Sequence, residues 1–363
     1  NADYIACHNQ SYVNQYDLLK GIKQGGIFVL NTIWDEKELD EYLPVKMKNS
    51  IARNNVNFYT VNATKIAQEI GLGNRINMIM QSAFFKLANI IPEEEATKYL
   101  KASISKAYGK KGEKIVNMNY EAVEQGKNAL VKVNVPTSWS TVTDANNSNE
   151  KEPDFIKNIL RPINAQEGDS LPVSAFNGIE DGTFPNGTAA YEKRGIATNV
   201  PEWIIENCIQ CNQCSYICPH ATIRPFLLNE EEVKNAPEGF VTKKAIGKGL
   251  EGLQYKIQVD TMDCTGCGNC ADICPAKQKA LVMKPLETQT EREIPNWEYA
   301  VSKVSYKGDR VAGKTVKDSQ FKTPLYEFSG ACAGCGEPAY IKLITQLYGD
   351  RMMIANATGC SSI

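Results

Sequence analysis

The chain has 363 residues, 42% of them hydrophobic and 23% charged, with a formal net charge of −2. That length accommodates two or three domains with sizeable cores, and a near-neutral balance offers no footprint for nucleic acid or a membrane surface. No apolar run approaches the roughly 18 residues of a membrane span, since the best candidate, residues 78–91, is broken by Gln81 and Lys86.

In chain order, residues 3–7 and 27–31 read as short buried strands, with residues 14–21 helical between them and Gly25-Gly26 marking the turn. Residues 58–61 are a third strand. Helices follow over residues 64–70 and 77–90, then from Pro92, where Glu93, Glu94 and Glu95 suit the positive end of the helix dipole. A further helix covers residues 120–130. Gly71-Leu72-Gly73 lacks a third glycine and follows a helix, so it reads as a helix stop and not a nucleotide loop. Residues 1–135 thus predict an α/β domain with a parallel sheet.

Residues 136–195 are rich in Pro, Asn, Gly, Ser and Thr, as in Thr143-Asp144-Ala145-Asn146-Asn147-Ser148-Asn149, which predicts a linker or a small irregular domain. Residues 196–320 hold most of the cysteines. The charged stretch 229–235 and strand-like residues 254–259 there predict an extra hairpin or helix. In residues 321–363 a new unit begins from Phe328, with a glycine- and cysteine-rich turn, a helix over 338–348 and a strand over 352–355. The overall class is multidomain α/β and α+β. The chain opens at Asn1 close to a strand and stops at Ile363 just after Gly359-Cys360-Ser361-Ser362, so we expect a piece of a larger polypeptide or a chain completed by others.

Eight of the twelve cysteines form two copies of Cys-x2-Cys-x2-Cys-x3-Cys-Pro. One is Cys208, Cys211, Cys214, Cys218 and Pro219; the other is Cys264, Cys267, Cys270, Cys274 and Pro275. This run is the bacterial-type signature of [4Fe–4S] ligation, in which three closely spaced thiolates wrap one cubane and the fourth reaches the other cluster. The rule assigns Cys208, Cys211, Cys214 and Cys274 to one cluster, and Cys264, Cys267, Cys270 and Cys218 to its neighbour. Four-cysteine zinc sites use CxxC knuckles with a longer gap, which these runs do not match. A disulfide framework is disfavoured in so long a chain, so reduced thiols and a reducing interior are expected.

Cys332 and Cys335 form a CxxC turn before a helix, and Cys360 follows in Ala357-Thr358-Gly359-Cys360. On spacing alone this group suits cluster ligation and a redox-active or structural thiol pair equally. Cys7, in an apolar strand, reads as core packing. His8 reads as structural, and His220, directly after Cys218-Pro219, as packing near a cluster without ligating it. Lys110-Lys111 and Lys243-Lys244 read as solvated faces, with a docking surface for an acidic partner as the alternative.

The stretch from Phe328, with Cys-Ala-Gly-Cys-Gly-Glu followed by Asn-Ala-Thr-Gly-Cys-Ser-Ser, resembles the start of the thiamine diphosphate domain of the pyruvate:ferredoxin oxidoreductase family. Asp3-Tyr4-Ile5-Ala6-Cys7-His8-Asn9 and Gly25-Gly26-Ile27-Phe28-Val29-Leu30-Asn31 resemble its γ-type domain, and Asn199-Val200-Pro201-Glu202-Trp203 the lead-in to its ferredoxin domain. The resemblance implies that Cys332, Cys335 and Cys360 bind a third [4Fe–4S] cluster whose fourth ligand lies beyond residue 363. It also implies that Glu337 and Thr358 border the thiamine diphosphate, and that the Mg2+–diphosphate motif lies outside the sequence. The implied activity is oxidative decarboxylation of pyruvate, with coenzyme A taking the acetyl group and electrons leaving through the clusters to ferredoxin or flavodoxin. A homodimer in the cytoplasm, or in a hydrogenosome-like organelle, is expected, without nucleic-acid or membrane partners. The segment alone is not expected to turn over. The competing readings are a stand-alone polyferredoxin and a zinc-stabilised interaction protein.

Overall fold

The computed structural model describes residues 1–143, 152–357 and 359–360. Residues 144–149 of the turn-rich stretch, and Thr358, lie outside the described residues. The chain divides into two compact units, Asn1–Phe184 and Pro185–Ile363.

In the first unit, strands β1 (Ala2–Cys7), β2 (Ile22–Asn31) and β3 (Asn57–Val61) pair in parallel, and a short β4 (Val131–Lys132) adds antiparallel to β3. Alternation along β2 decides what each face covers. Phe28 and Leu30 join Phe58, Leu39, Met47 and Ile51 in one core, while Val29 joins Val61, Ile66, Ile79 and Ala122 in another. Helices therefore cover both faces, as a parallel sheet requires. On the first face lie α1 (Glu36–Tyr42) and α2 (Val45–Arg53); on the second, α3 (Ala63–Ile70), α4 (Asn77–Ala88) and α6 (Glu113–Asn128), with α5 (Glu93–Tyr108) packed on α4 and α6. The short α7 (Arg161–Asn164) follows.

Several local expectations need correction. Residues 14–21 are not a helix: a 3-10 turn spans Gln10–Asn14, capped by the Asn9 side chain, and separate turns follow. Gly25-Gly26 does not precede a strand but sits inside the ten-residue β2, where the register with β1 shifts. The helix expected at 120–130 begins at Glu113, and α1 and α2 were not anticipated. Gly71 does stop α3, its N–H returning to Ala67 and Gln68 carbonyls. Cys7 is buried in the first core, its thiol donating to Asn9 O at 3.0 Å and pushed up by burial to about 11.

The second unit has a two-stranded antiparallel pair, β5 (Asn199–Trp203) with β9 (Leu281–Pro285), and a three-stranded antiparallel sheet in the order β6 (Ile223–Leu228), β8 (Gln254–Val259), β7 (Lys243–Lys244). Two one-turn helices, α8 (Gln213–Ile217) and α10 (Asn269–Ile273), follow the cysteine loops and pack on one another. The insertion between the runs supplies β7 and α9 (Glu230–Lys234), as expected. Helices α11 (Glu287–Lys303), α12 (Val316–Ser319) and α13 (Glu337–Tyr348) complete the unit. The strand expected at 352–355 is absent, and Met353 there is 99% exposed.

Candidate cluster-binding site

Each cysteine loop turns back on itself and enters a one-turn helix, so that its first three cysteines face inward. Cys208, Cys211 and Cys214 line one cavity together with Cys274, enclosing about 320 Å³ of empty space partly open to solvent. Cys264, Cys267 and Cys270 line a second with Cys218, of about 350 Å³. Each cavity thus takes three cysteines from one run and its fourth from the other. Helix α8 joins them, because it carries Cys214 of the first cavity and leads into Cys218 of the second.

The donor chemistry fits an anionic sulfur cluster. All eight cysteines are free thiols. Burial, followed by the neighbouring Cys208, Cys211 and Cys274, drives Cys214 far above the usual thiol range. Burial likewise pushes Cys264 up to about 12, against a Gly266 N–H bond to its sulfur. Thiols so crowded cannot ionise together without a compensating cation, which iron supplies while displacing their protons. Among the described residues no three His, Cys, Asp or Glu side chains converge to hold a single ion. The cysteines stand around a space instead of meeting at a point, which suits a multi-atom cluster better than zinc.

Buried donors without partners point the same way. Thr265 Oγ1 on the second cavity and Trp203 Nε1 on the first are unpartnered. His220 is 2% exposed and also lines the second cavity, but its Nδ1 donates to Ser329 O at 3.0 Å and burial favours the neutral ring, so its Nε2 is an acceptor and not one of these donors. Orphaned buried donors cost about 1–3 kcal/mol each, and cluster sulfur is the acceptor that would satisfy them. Ala280 N already points at Cys274 Sγ, at 3.4 Å.

The turn carrying the third cysteine group rests on the second cavity. Phe328 N donates to His220 O at 2.9 Å, and Asn269 Nδ2 to Gly334 O at 3.4 Å. Arg224 stacks between Trp297 and Phe328, with centroids 4.9 and 5.5 Å away, and pairs with Glu327. Cys332 and Cys335 share one turn, closed by Cys335 N to Cys332 O at 3.0 Å. Cys332 is exposed and Cys335 half-buried; Cys360, also exposed, takes no part in that turn. Glu337 is exposed in the first turn of α13.

One further expectation changes. Lys243 is not a solvated side chain: its Nζ donates to the carbonyls of Ile205 and Cys208 at 2.8 and 2.9 Å, bracing the first cysteine loop. Lys342, which no motif singled out, is fully buried against α8 and pulled down by burial to about 8. In the first unit His8 is exposed, and its carbonyl accepts from Asn31 Nδ2 at 2.9 Å. Asn31 also bonds Thr64 Oγ1 and the Ala63 N–H, tying the carboxyl ends of β1, β2 and β3 together.

Comparison with known proteins agrees with this geometry. The family model described as "Pyruvate ferredoxin/flavodoxin oxidoreductase" matches residues 1–129, a domain of unknown function matches 143–197, and a "4Fe-4S dicluster domain" matches 207–278. Pyruvate-flavodoxin oxidoreductase of Enterobacter agglomerans is 62% identical over 362 residues, covering 100% of this chain and 30% of that protein. Pyruvate:ferredoxin oxidoreductase of Moorella thermoacetica is 60% identical over 363 residues, with 100% and 31% covered. The mitochondrial NADP+ pyruvate dehydrogenase of Euglena gracilis is 48% identical, and the chain covers 20% of it. The chain spans less than a third of the length of these curated relatives. Matched along its whole length, it belongs to the pyruvate:ferredoxin/flavodoxin oxidoreductase family.

Proposed function

We propose that the chain is the electron-relay part of an enzyme that oxidatively decarboxylates pyruvate, gives the acetyl group to coenzyme A and sends the electrons to ferredoxin or flavodoxin. The observation that carries this reading is the pair of four-cysteine cavities joined through α8. Two [4Fe–4S] clusters would be held, one by Cys208, Cys211, Cys214 and Cys274, the other by Cys218, Cys264, Cys267 and Cys270. When bound, the clusters supply one-electron acceptors, and thiamine diphosphate with Mg2+ the electron sink for decarboxylation.

The finer division follows the same reading. Residues 1–135 form a γ-type domain, 136–195 a linker domain, 196–320 the ferredoxin-like module and 321–363 the start of the thiamine domain. Cys332, Cys335 and Cys360 would hold a third cluster with a ligand outside this sequence, and Glu337 and Thr358 would border the thiamine. The contact of the 328–335 segment with the second cavity supports one order of travel: third cluster, then the cavity of Cys267, then that of Cys208, then the acceptor. In the γ-type domain, the carboxyl ends of β1–β3 are where an open parallel sheet receives ligands, which suits coenzyme A. A homodimer in the cytoplasm completes the proposal.

Iron and acid-labile sulfide in the full-length enzyme test it. About twelve of each per chain, with pyruvate- and coenzyme A-dependent reduction of ferredoxin, is the expected result. Bound zinc in place of iron overturns the reading.

A further inference from the structure

One buried charge in the second unit has no part in the relay as described above. Lys342, on α13, is 1% exposed, and its Nζ donates to the carbonyl oxygens of Ser215 and, at 3.0 Å, Cys218. Both carbonyls lie at the end of α8, the turn whose Cys214 lines the first cavity and whose following Cys218 lines the second. The ammonium is therefore held where the two cavities meet. No carboxylate ion pair involves Lys342 among the described residues. Cys218, whose carbonyl it holds, and Cys214, next to Ser215, contribute one sulfur ligand to each cavity. A buried cation needs a compensating anion, and carbonyl dipoles alone supply only part of it.

We propose that Lys342 is a counter-charge shared by the two clusters, which favours the reduced form of both and leaves the gap between their potentials unchanged. The proposal rests on the cluster reading given above. Reduction adds negative charge to a cluster, and a cation fixed nearby in a poorly screened interior favours that state. A charge beside the shared segment acts on both couples at once, so it favours reduction of each without altering the step between them. Lys317 provides a built-in comparison. It is half-buried, its Nζ donates to Ile246 O, and its carbonyl accepts at 2.8 Å from Nδ2 of Asn212, which lines the first cavity.

The test is a redox titration of the full-length enzyme followed by electron paramagnetic resonance, with iron content measured for each variant. In Lys342→Met the equilibrium constant for reducing each of the two clusters falls about ten-fold, about 59 mV for a one-electron couple. Lys342→Arg keeps both potentials near the parent values. Lys317→Met lowers only the cluster of Cys208, Cys211, Cys214 and Cys274. Unmoved potentials in an iron-replete Lys342→Met enzyme, or a shift in one cluster only, overturn the proposal. Should the methionine variant fail to load iron, Lys342→Gln, which keeps a donor without the charge, is compared with Lys342→Arg. Equal potentials in those two overturn the proposal, as does loss of iron from the glutamine variant while the arginine variant loads, since anchoring then accounts for the residue. A parent enzyme without paramagnetic clusters on reduction would instead overturn the cluster reading.

Discussion

A Cβ placed on Gly334 would lie 3.3 Å from the Cβ of Cys267, and Gly334 has φ +74°. The turn holding Cys332 and Cys335 therefore presses its glycine against the rim of the second cavity. Any side chain here meets two penalties: the left-handed backbone costs about 1–2 kcal/mol for a non-glycine residue, and the contact is tighter than van der Waals spacing allows. Gly334→Val is expected to push the turn off the module while leaving the two complete cavities intact. The full-length enzyme would keep both their cluster signals, and electron entry from the third group would slow at least ten-fold. Rapid-freeze resonance after mixing with pyruvate and coenzyme A measures this. Unchanged reduction rates of both clusters would show that electrons do not enter across this contact.

The carboxylate of Glu232 accepts from Ser305 N and Oγ at 2.8 and 2.6 Å and pairs with Lys307 Nζ at 2.6 Å. Burial favours its neutral form, but the bonds from Lys307, Ser305 and the Asn229 N–H outweigh it and hold the carboxyl down at about 2. A depressed carboxyl contributes its stability above its unfolded value and loses it as pH falls towards its folded value. Roughly 3 kcal/mol should therefore disappear between about pH 4.5 and pH 2. Glu232→Gln removes that slope and, by leaving Lys307 half-satisfied, costs about 3 kcal/mol at pH 7. Denaturant unfolding at a series of pH values checks both. Parallel parent and Glu232→Gln profiles through the acid window would count against the assignment.

The cysteine cavities are legible because ligand spacing is local: a run of eleven residues, Cys208 to Cys218 or Cys264 to Cys274, carries its own geometry, and the duplication supplies the fourth ligand. Helix α1 was equally local, since Asp35 accepts from Glu38 N while the Glu38 side chain returns to Asp35 N, yet that Asp-x-x-Glu signal went unread. Residues 14–21 have helix-compatible apolar spacing, but the chain there closes short turns such as Lys20 N to Asp17 O, and Asp17 pairs with Lys46. Residues 352–355 have strand-like composition without burial, and composition alone does not make a strand. Lys342 and the carbonyl of Cys218 are 124 positions apart, so no sequence pattern announces their meeting. Adjacency to Cys218 marks His220 as a neighbour of the cluster, while its bond to Ser329 is tertiary.

Gly126, in the last turn of α6, is where that helix crosses α4. A Cβ there would lie 2.3 Å from Ser82 Oγ, 2.6 Å from Ile79 O and 2.8 Å from Ile79 Cα. The serine rotates away readily; the Ile79 backbone cannot move without shifting α4. Alanine gains up to about 1 kcal/mol of helix propensity over glycine, but overpacking of this kind costs about 1–3 kcal/mol and occasionally more, so the clash wins. Gly126→Ala should destabilise the first unit by about 1–2 kcal/mol, read as a lower denaturant midpoint with an unchanged slope. The cluster signals of the second unit should be unaffected. A raised midpoint would mean that α4 and α6 are held less closely than described.

Cys274 belongs to the second run by sequence and to the first cavity by position. Its sulfur accepts from the Ala280 N–H at 3.4 Å, and its carbonyl accepts from Lys279 Nζ at 2.9 Å, so the residue is fixed on that cavity from both sides. Cys274→Ser should therefore deplete the cluster of Cys208, Cys211 and Cys214 and spare the one nearest Cys264, Cys267 and Cys270. Cys218→Ser should do the reverse, because Cys218 lines the second cavity. Each variant of the full-length enzyme is expected to lose about four iron atoms per chain. The cluster that disappears can be identified by its coupling to the third one, which the cluster beside Gly334 feels most strongly. If each variant instead lost the cluster of its own run, the exchange of fourth ligands would be wrong, and with it the role of α8 as the element joining the two centres.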